Sequence, residues 1–290
     1  MDPIDEHVQA RPSARLRQYV AFYSGYRQAG VAPGRHRGLP SPFLTLIFTM
    51  DDPLVIAVHP DARQAAGRYD SLAGGLHLTP ALITHPGWQS GVQVSVSPLG
   101  CRALFGLPAV EIAGLDVDAA DLLGAHVVDE VRAGLLGGPD WPRRFAALDR
   151  VLTRMVDART SGLRTISDNP VAPQIAYAFG RIVRGGVSVA SLADEVGWSG
   201  RYLTDRFRAE IGLRPKEAAR VARFDRARRA LRPAGRLADV AAGHGFADQS
   251  HLVREFQAFA GCSPTRWMAD EFGFVQAGAA GYGDDQGHDQ

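Results

Sequence analysis

The sequence predicts an α+β protein in which a β-rich N-terminal domain with a helical end precedes an all-α C-terminal domain. Short β-branched and aromatic segments such as FLTLIFTM, separated by turn residues, occupy the first hundred residues and predict strands. Apolar residues at helical spacing follow from Cys101 onward. The last third contains two copies of one short helical pattern, and 290 residues suffice for two domains of ordinary size.

The first strand is expected within 16–28, after a short lead-in, and further strands are expected at 43–50, 53–58, 75–84 and 91–97. Such short, regularly spaced strands favour a barrel or a sandwich. Residues 1–14 are polar and are predicted to be loose, and residues 32–42 read as a loop. Helices are predicted at 101–107, 119–136 and 141–156. We assign residues 1–160 to the N-terminal domain, 161–173 to a linker, 174–272 to the helical domain and 273–290 to a disordered tail.

The C-terminal third repeats its pattern between Val187 and Met268. Apolar, glycine and proline positions of the first copy recur 48 or 49 positions later: Val189, Leu192, Gly197, Trp198, Leu203, Phe207, Gly212 and Pro215 become Leu237, Val240, Gly245, Phe246, Leu252, Phe256, Gly261 and Pro264. In the first copy Ser188 caps a short helix, Gly197 ends it and Ser199 caps the next. Asp248 is the matching cap in the second copy. Two short helices joined by a tight turn predict a helix-turn-helix, whose second helix enters the DNA major groove.

The outward faces of the two second helices carry the side chains expected to read DNA bases. Leu203, Phe207, Leu252 and Phe256 face inward, together with Trp198, Phe246 and Trp267 elsewhere in the repeat. The expected base contacts are Arg201, Thr204, Asp205 and Arg208 in the first copy and Gln249, Ser250 and Arg254 in the second. The expected contacts to the DNA backbone are Ser199, Tyr202, Asp248, His251 and Gln257, with Arg220 and Arg223 on the joining helix. That helix runs from Pro215 to about Leu231 and would be about 25 Å long.

These features resemble the DNA-binding domain of the AraC/XylS family of transcription regulators, above all the segment GFADQSHLVREFQAFAGCSP. The likeness spans about residues 172–272, and Asp205 departs from it, because many members carry a basic or amide residue there. The segments RHRGLPSPFLTLIF and PLGCRALFGLPAVEIAG resemble an N-terminal sensor domain of such regulators. The resemblance implies a cupin-like β-barrel followed by helices that dimerise or contact the DNA-binding half.

Charge is unevenly divided along the chain. The formal net charge is +1, yet residues 171–272 hold 16 Lys and Arg against 11 Asp and Glu. This basic excess of five suits contact with phosphates. The two cysteines, Cys101 and Cys262, are expected to pack rather than to form a disulfide. Neither a signal peptide nor a membrane span is evident, so a cytoplasmic location is expected.

No pattern in the sequence indicates an enzyme or a bound cofactor. His36, His59, His77 and His85 are scattered without the His-x-His spacing of a cupin metal site, so no metal is expected. The string GWSG around Ser199 lacks the second glycine of a serine-hydrolase elbow. A small-molecule pocket could be lined by residues in or beside predicted strands, namely Arg68, Tyr69, His77, His85 and Trp88.

The leading hypothesis is a sequence-specific transcription regulator that reads successive major grooves and is controlled at its N-terminal domain. Its expected partners are double-stranded DNA, a small-molecule effector, RNA polymerase and a second copy of the chain. The alternative is a cupin-type ligand-binding or metal-dependent catalytic protein whose helical half contacts other proteins. A DNA-binding protein without any ligand is a third reading.

Overall fold

The computed structural model describes residues 3–160 and 171–270. Most of the expected linker and the whole of the tail at 273–290 lie outside the described residues. The ten strands are β1 (Ile4–Ala10), β2 (Val20–Ala29), β3 (Gly34–Gly38), β4 (Leu44–Thr49), β5 (Leu54–Val58), β6 (Gly67–Tyr69), β7 (Ser71–Gly74), β8 (Ala81–His85), β9 (Gln89–Val96) and β10 (Asp116–Asp118), counted over the described ranges. The helices are α1 (Cys101–Phe105), α2 (Ala119–Leu123), α3 (Ala125–Gly137), α4 (Trp141–Thr160), α5 (Pro173–Arg184), α6 (Val189–Val196), α7 (Gly200–Ile211), α8 (Pro215–Ala230), α9 (Leu237–Gly243) and α10 (Gln249–Ala260).

The predicted order of a β-rich region followed by a helical region is confirmed. Four local predictions are wrong. The polar N-terminus is not loose, because β1 pairs with β2 over its whole length. The expected loop at 32–42 contains β3, and residues 75–80 do not belong to the strand expected there. The helix expected at 119–136 is divided in two at Gly124, whose φ of +88° is incompatible with a continuing helix.

The strands form two sheets rather than one closed barrel. A six-stranded sheet has the order β1-β2-β9-β4-β7-β10, and a four-stranded sheet has the order β3-β8-β5-β6. No ladder between described residues joins one sheet to the other. The four-stranded sheet has strands of only three to five residues, which pair only among themselves. The barrel expected from the resemblance is therefore replaced by two separate sheets.

The six-stranded sheet has two chemically different faces, as the period-two alternation of strand residues requires. One face is apolar and belongs to the main core, with Val92, Val94 and Val96 of β9 beside Leu44 and Leu46 of β4. Residues of α1, α3 and α4 belong to the same core. The opposite face is polar along β9, where QSGVQVSV places two glutamines and a serine in alternation with the valines. A smaller apolar cluster, including Ile47, Leu72 and Ile83, joins the two sheets.

Aromatic side chains fill the core of the helical region, which is continuous with the core of the N-terminal region. The expected core residues Leu203, Phe207, Phe246, Leu252, Phe256 and Trp267 are all buried, and Trp198 is partly buried against the same core. The ring of Phe224 on α8 lies 5.0 Å from that of Phe256 on α10. The joining helix therefore packs against the second repeat through aromatic contacts. Its 16 residues correspond to a rod of about 24 Å.

Candidate DNA-binding surface and N-terminal cavity

Both copies of the repeat fold into a helix-turn-helix with the expected caps. The Ser188 side chain accepts a hydrogen bond from the Ser191 amide at 3.0 Å and opens α6. Gly197 ends that helix at a φ of +70°, and the Ser199 side chain then accepts from the Tyr202 amide at 3.2 Å to open α7. Because a left-handed glycine terminates the first helix, the chain turns within three residues into the second.

The second copy shares the glycine turn and the cap of the second helix, whereas α9 begins after Arg236 without a side-chain cap. Asp248 accepts a hydrogen bond from the His251 amide at 2.6 Å and opens α10. Gly245 lies in the turn before it at a φ of +75°. Gly212 and Gly261, which occupy matching positions, are left-handed C-caps of α7 and α10. The repeat in the sequence is thus a repeat of capping chemistry as well as of core residues.

The expected base-reading side chains share one face of each second helix. Arg201, Asp205 and Arg208 on α7 are exposed, while Thr204 is half-buried and its hydroxyl donates to the Gly200 carbonyl at 2.8 Å. On α10 the expected base-reading residues Gln249, Ser250 and Arg254 are all exposed. None of the three charged or amide groups Arg201, Gln249 and Arg254 is hydrogen-bonded or ion-paired to another described residue. These side chains are therefore available to an external partner.

The residues expected to contact the DNA backbone occupy two kinds of environment. Ser199 and Asp248 are exposed caps, Gln257 is exposed, and Tyr202 is half-exposed with its ring 4.9 Å from that of Trp198. The half-buried His251 accepts the Ala247 amide at Nδ1, at 3.3 Å. Arg220 and Arg223 on α8 differ from these, because both side chains are half-buried and ion-paired within the domain.

Glu255 holds both of these arginines and was not singled out from the sequence. Its carboxylate accepts from Arg220 Nη2 at 2.8 Å and from Arg220 Nε at 3.1 Å, and it lies 3.5 Å from Arg223 Nη2. The Arg220 guanidinium also lies over the Phe259 ring, and that of Arg223 over the Phe246 ring. Hydrogen bonding to Glu255 raises the pKa of Arg220. Since Glu255 lies on α10, this network fixes the second recognition helix to the joining helix. In the sequence, only the position of Glu255 next to the outward-facing Arg254 could have suggested that it fixes α10 to α8.

The N-terminal region contacts the first repeat directly. Arg102 of α1 donates to both carboxylate oxygens of Glu210 on α7, at 2.8 and 2.9 Å. The hydrogen bonds to Glu210 raise the pKa of Arg102. Next to this pair, a Cβ at Gly212 would come within 2.7 Å of the Ala113 side chain. Arg208 lines a cleft that also includes Asp61 of the N-terminal region. The C-terminal end of α7 therefore lies against the N-terminal region, and its exposed reading face is confined to the preceding turns.

A cavity of about 240 Å³ lies in the N-terminal region. Strands of both sheets line it, and so do Arg228 and Arg229 from α8 of the helical region. Of the five residues considered for a pocket, His77 lines this cavity. Arg68 and Trp88 are exposed, with the Trp88 indole donating to Asp52. Tyr69 and His85 lie beside it, Tyr69 against His59 and His85 against His36.

The protonation states of the groups around the cavity depend on burial and on the buried carboxylate of Asp225. Burial, with the neighbouring His85 and His7, lowers the pKa of His36 to about 3. Burial also lowers the pKa values of His7 and His77. Near neutral pH these histidines are therefore uncharged. Arg228 and Arg229 both bond to Asp225. Burial alone would raise the pKa of Asp225, but the two guanidinium groups outweigh it and hold the pKa below its usual range.

In the described part of the chain, no group of three or more His, Cys, Asp or Glu side chains is arranged to hold a metal ion. The described helices include none with the length and apolar character needed to cross a membrane. Cys101 and Cys262 are both buried, and burial raises the pKa of the Cys101 thiol.

Two capped helix-turn-helix units with exposed polar recognition faces, joined by one helix, define a DNA-binding protein. A protein-family profile described as "Helix-turn-helix domain" matches residues 192–270. This region is therefore an AraC-type helix-turn-helix domain, and the chain contains the DNA-binding domain of a transcription regulator.

Solved structures of ToxT from Vibrio cholerae are similar in fold. A crystal structure of ToxT from strain O395 is 12% identical, with a TM-score of 0.48, and the match covers 85% of this chain and 96% of that one. ToxT from strain SCE256 with a bound unsaturated fatty acid is 9% identical, with a TM-score of 0.50, over 86% of this chain and 94% of that one. Identities this low concern the fold alone. No curated protein matches the chain significantly in sequence.

Proposed function

We propose that this regulator recognises an asymmetric DNA site by placing α7 and α10 in successive major grooves on one side of the duplex. The observation that carries the proposal is the pair of exposed recognition faces on either side of one rigid helix. That helix is about 24 Å long, and the helix-turn-helix units at its ends extend the span towards the ~34 Å of one DNA turn. The fixation of α10 to α8 through Glu255 supports a defined spacing between the two recognition helices.

The second motif carries most of the base discrimination in this proposal. Gln249 suits an adenine edge, Arg254 suits guanine, and Ser250 suits either. In the first motif Arg201 reads a base, and Thr204 and Asp205 make smaller contributions. The contribution of Thr204 is small because its hydroxyl already donates to the Gly200 carbonyl. Arg208 contributes least, since it borders the N-terminal region.

The phosphate contacts come from residues near the helix starts, namely the exposed Ser199, Tyr202 and Asp248 and the half-buried His251, with Gln257 farther along α10. Arg220 and Arg223 act indirectly in this proposal. Their ion pairs with Glu255 favour a role in orienting α10 over direct contact with DNA.

The N-terminal region controls DNA binding through a small molecule. The cavity supports this proposal, because residues of α8 form part of its wall and connect a ligand to the DNA-binding domain. The bound unsaturated fatty acid in a ToxT structure gives a precedent for a ligand in a protein of similar fold. A cupin-like ligand-binding origin suits two sheets that both line one cavity.

The domain division at 1–160, 161–173 and 174–272 is part of the same proposal. We further infer that the regulator acts in the cytoplasm, where it meets DNA and RNA polymerase. Dimerisation through α3 and α4 fits their position outside the DNA-binding domain and the exposed Leu136. Sedimentation of the full chain should give a dimer mass, and a monomer at high concentration would contradict this part.

Gel-shift titrations test DNA reading directly. Binding to a promoter fragment should weaken steeply with salt, since phosphate contacts release counterions. Replacing Arg254 by Ala should cost about 1–3 kcal/mol at the cognate site and little on random DNA. Arg150→Ala is the matched control, because Arg150 is an exposed arginine on α4 of the N-terminal region. An equal loss on both DNAs would assign Arg254 to phosphate, and no binding to any promoter would refute the proposal.

A further inference from the structure

The two recognition helices differ at one buried position of the repeat. Glu210, the penultimate residue of α7, corresponds to Phe259, the penultimate residue of α10. Phe259 is an apolar core residue, and its ring centroid lies 5.0 Å from that of Phe224 on α8. Glu210 is buried as well, although it carries a carboxylate. A buried carboxylate requires a partner, so this position is stabilised differently in the first motif.

The partner of Glu210 comes from the N-terminal region. Arg102 donates from Nε and from Nη2 to the two oxygens of the Glu210 carboxylate, at 2.8 and 2.9 Å. The same helix packs against Pro98–Gly100 and Ala109–Ile112 of the N-terminal region. Two backbone atoms of the second segment lie within 3.4 Å of a Cβ placed at Gly212. Approaches this close leave little room for movement, so the end of α7 is fixed against the N-terminal region.

The second recognition helix is held from within the helical region instead. Glu255 on α10 is ion-paired with Arg220 and Arg223 of α8. The residue at the corresponding position of α7 is Arg206, which is exposed. A cation there cannot replace Glu255 as a partner for the arginines of α8, because like charges repel. Thus α10 is anchored to α8 through Glu255, whereas α7 is anchored to the N-terminal region through Glu210.

The anchor of α7 lies behind its reading face. Glu210 follows Arg201 by nine residues. Nine residues correspond to about two and a half helical turns and ~14 Å along the axis, so the two side chains leave α7 on opposite sides. The exposure of Arg201 and the burial of Glu210 agree with this geometry. Because a short helix moves as a rod, a shift of the docked end tilts the exposed end that carries Arg201.

We propose that the N-terminal region supports the first recognition helix, with Arg102 as a positioning residue for base reading by Arg201, whereas reading by α10 does not depend on this contact. The inference rests on the proposed reading of DNA by α7 and α10, and it names a route by which the N-terminal region affects that reading. Weakening the ion pair lowers the affinity for the bases in one groove and leaves the other groove unaffected. Control through this contact therefore adjusts one half of the asymmetric site rather than DNA binding as a whole.

Gel shifts of full-length variants, on a bound promoter fragment and on random DNA, provide the test. Glu210→Gln and Arg102→Met should each lower the ratio of cognate to random affinity by about tenfold, because a base contact of α7 is displaced. The loss should persist in an Arg254→Ala background. In an Arg201→Ala background it should shrink to less than about twofold, because the contact to be displaced is already absent. A loss of equal size in both backgrounds, or no loss at all, overturns the proposal.

A matched control excludes a simple effect of charge. Asp194→Asn removes a carboxylate from the first motif at an exposed position of α6. It should leave the ratio of cognate to random affinity unchanged, because it does not touch the contact with the N-terminal region. If Asp194→Asn lowered the ratio as much as Glu210→Gln does, the effect would belong to charge and the proposal would fail.

Hydrogen exchange of the full chain without DNA separates this inference from the proposed function. Glu210→Gln should accelerate amide exchange in α7 more than in α10, because only α7 loses its anchor. Equal acceleration in both helices would show a general loss of stability and refute the inference. Selective acceleration in α7, without specific DNA binding by the unsubstituted chain, would refute the proposed reading of DNA while the support of α7 stands. Specific DNA binding with equal losses in the two backgrounds would refute the inference alone.

Discussion

The ion pair between Arg102 and Glu210 allows the contact between the two regions to be measured. Both side chains are largely buried, with exposed fractions of 18% and 12%, and the two hydrogen bonds are short and parallel. Breaking a fully buried pair costs about 3–5 kcal/mol, whereas an exposed pair contributes about 0.2–1 kcal/mol. Because this pair keeps some contact with solvent, Arg102→Met should lower the free energy of unfolding by about 2–3 kcal/mol.

A double-mutant cycle isolates the pairwise part of that free energy. The two single variants and the double variant would be unfolded in urea, namely Arg102→Met, Glu210→Gln and their combination. Tryptophan fluorescence is the signal, since Trp88 and Trp141 report on the N-terminal region and Trp198 and Trp267 report on the helical region. The coupling should be about 1–2 kcal/mol, within the range for residues in direct contact. The exposed pair of Arg143 and Asp140, with exposed fractions of 71% and 50%, is the control and should give almost none. A coupling below about 0.5 kcal/mol for Arg102 and Glu210 would refute the reasoning.

Four further substitutions test other contacts. In gel shifts, Glu255→Gln should lower the ratio of cognate to random DNA affinity, because α10 loses a contact that fixes it to α8. Binding to random DNA should stay level or rise, because a negative charge is removed. An unchanged ratio would exclude the positioning role. Gly212→Ala and Gly261→Ala should each lower the free energy of unfolding, measured by thermal denaturation, by about 1–2 kcal/mol, because alanine is strained in the left-handed conformation of both positions. Gly212→Ala should cost more, because its new Cβ would lie 2.7 Å from the Ala113 side chain, whereas the nearest atom to a Cβ at Gly261 is 3.9 Å away. Equal costs would argue against the docking of α7. The pKa of His36 is about 3 in the folded state against 6.5 in the unfolded state, so the unfolded chain binds more protons between these values and stability falls as the pH drops below about 6.5. His36→Gln should remove up to about 1.4 kcal/mol per pH unit of that dependence, and an unaltered pH profile would contradict the assignment.

The helical domain was the most predictable part, because its information is local. Each cap, glycine turn and apolar position depends on residues a few positions away in the chain. The sequence pattern that predicts them also occurs twice. Ser199 and Asp248 are caps, Gly197 is left-handed and Phe207 and Phe256 are buried, all as predicted. The exposure of the arginines of α8 could not be predicted from neighbouring residues, because Glu255, which binds Arg220, lies 35 positions from it in the chain.

The N-terminal region was less predictable, because strand pairing joins distant segments. The stretch IDEHVQA is too polar to suggest a buried element, yet β1 is an edge strand whose His7 and Gln9 line a polar cavity. Its partner β2 begins ten residues after β1 ends, and β9 joins the sheet only at Gln89. The alternation of glutamine, glycine and serine with valine in QSGVQVSV indicated one polar face, but not what that face lines.

The sequence alone determined that the chain ends in two helix-turn-helix units with different outward faces, since caps, turns and helical periodicity are local and self-consistent. The tertiary structure alone decided three further features. The strands form two sheets instead of a closed barrel, Glu210 pairs with Arg102, and two arginines of the joining helix line the cavity of the other region. Each depends on contacts between residues far apart in the chain, and their geometry is set by packing that no short segment encodes.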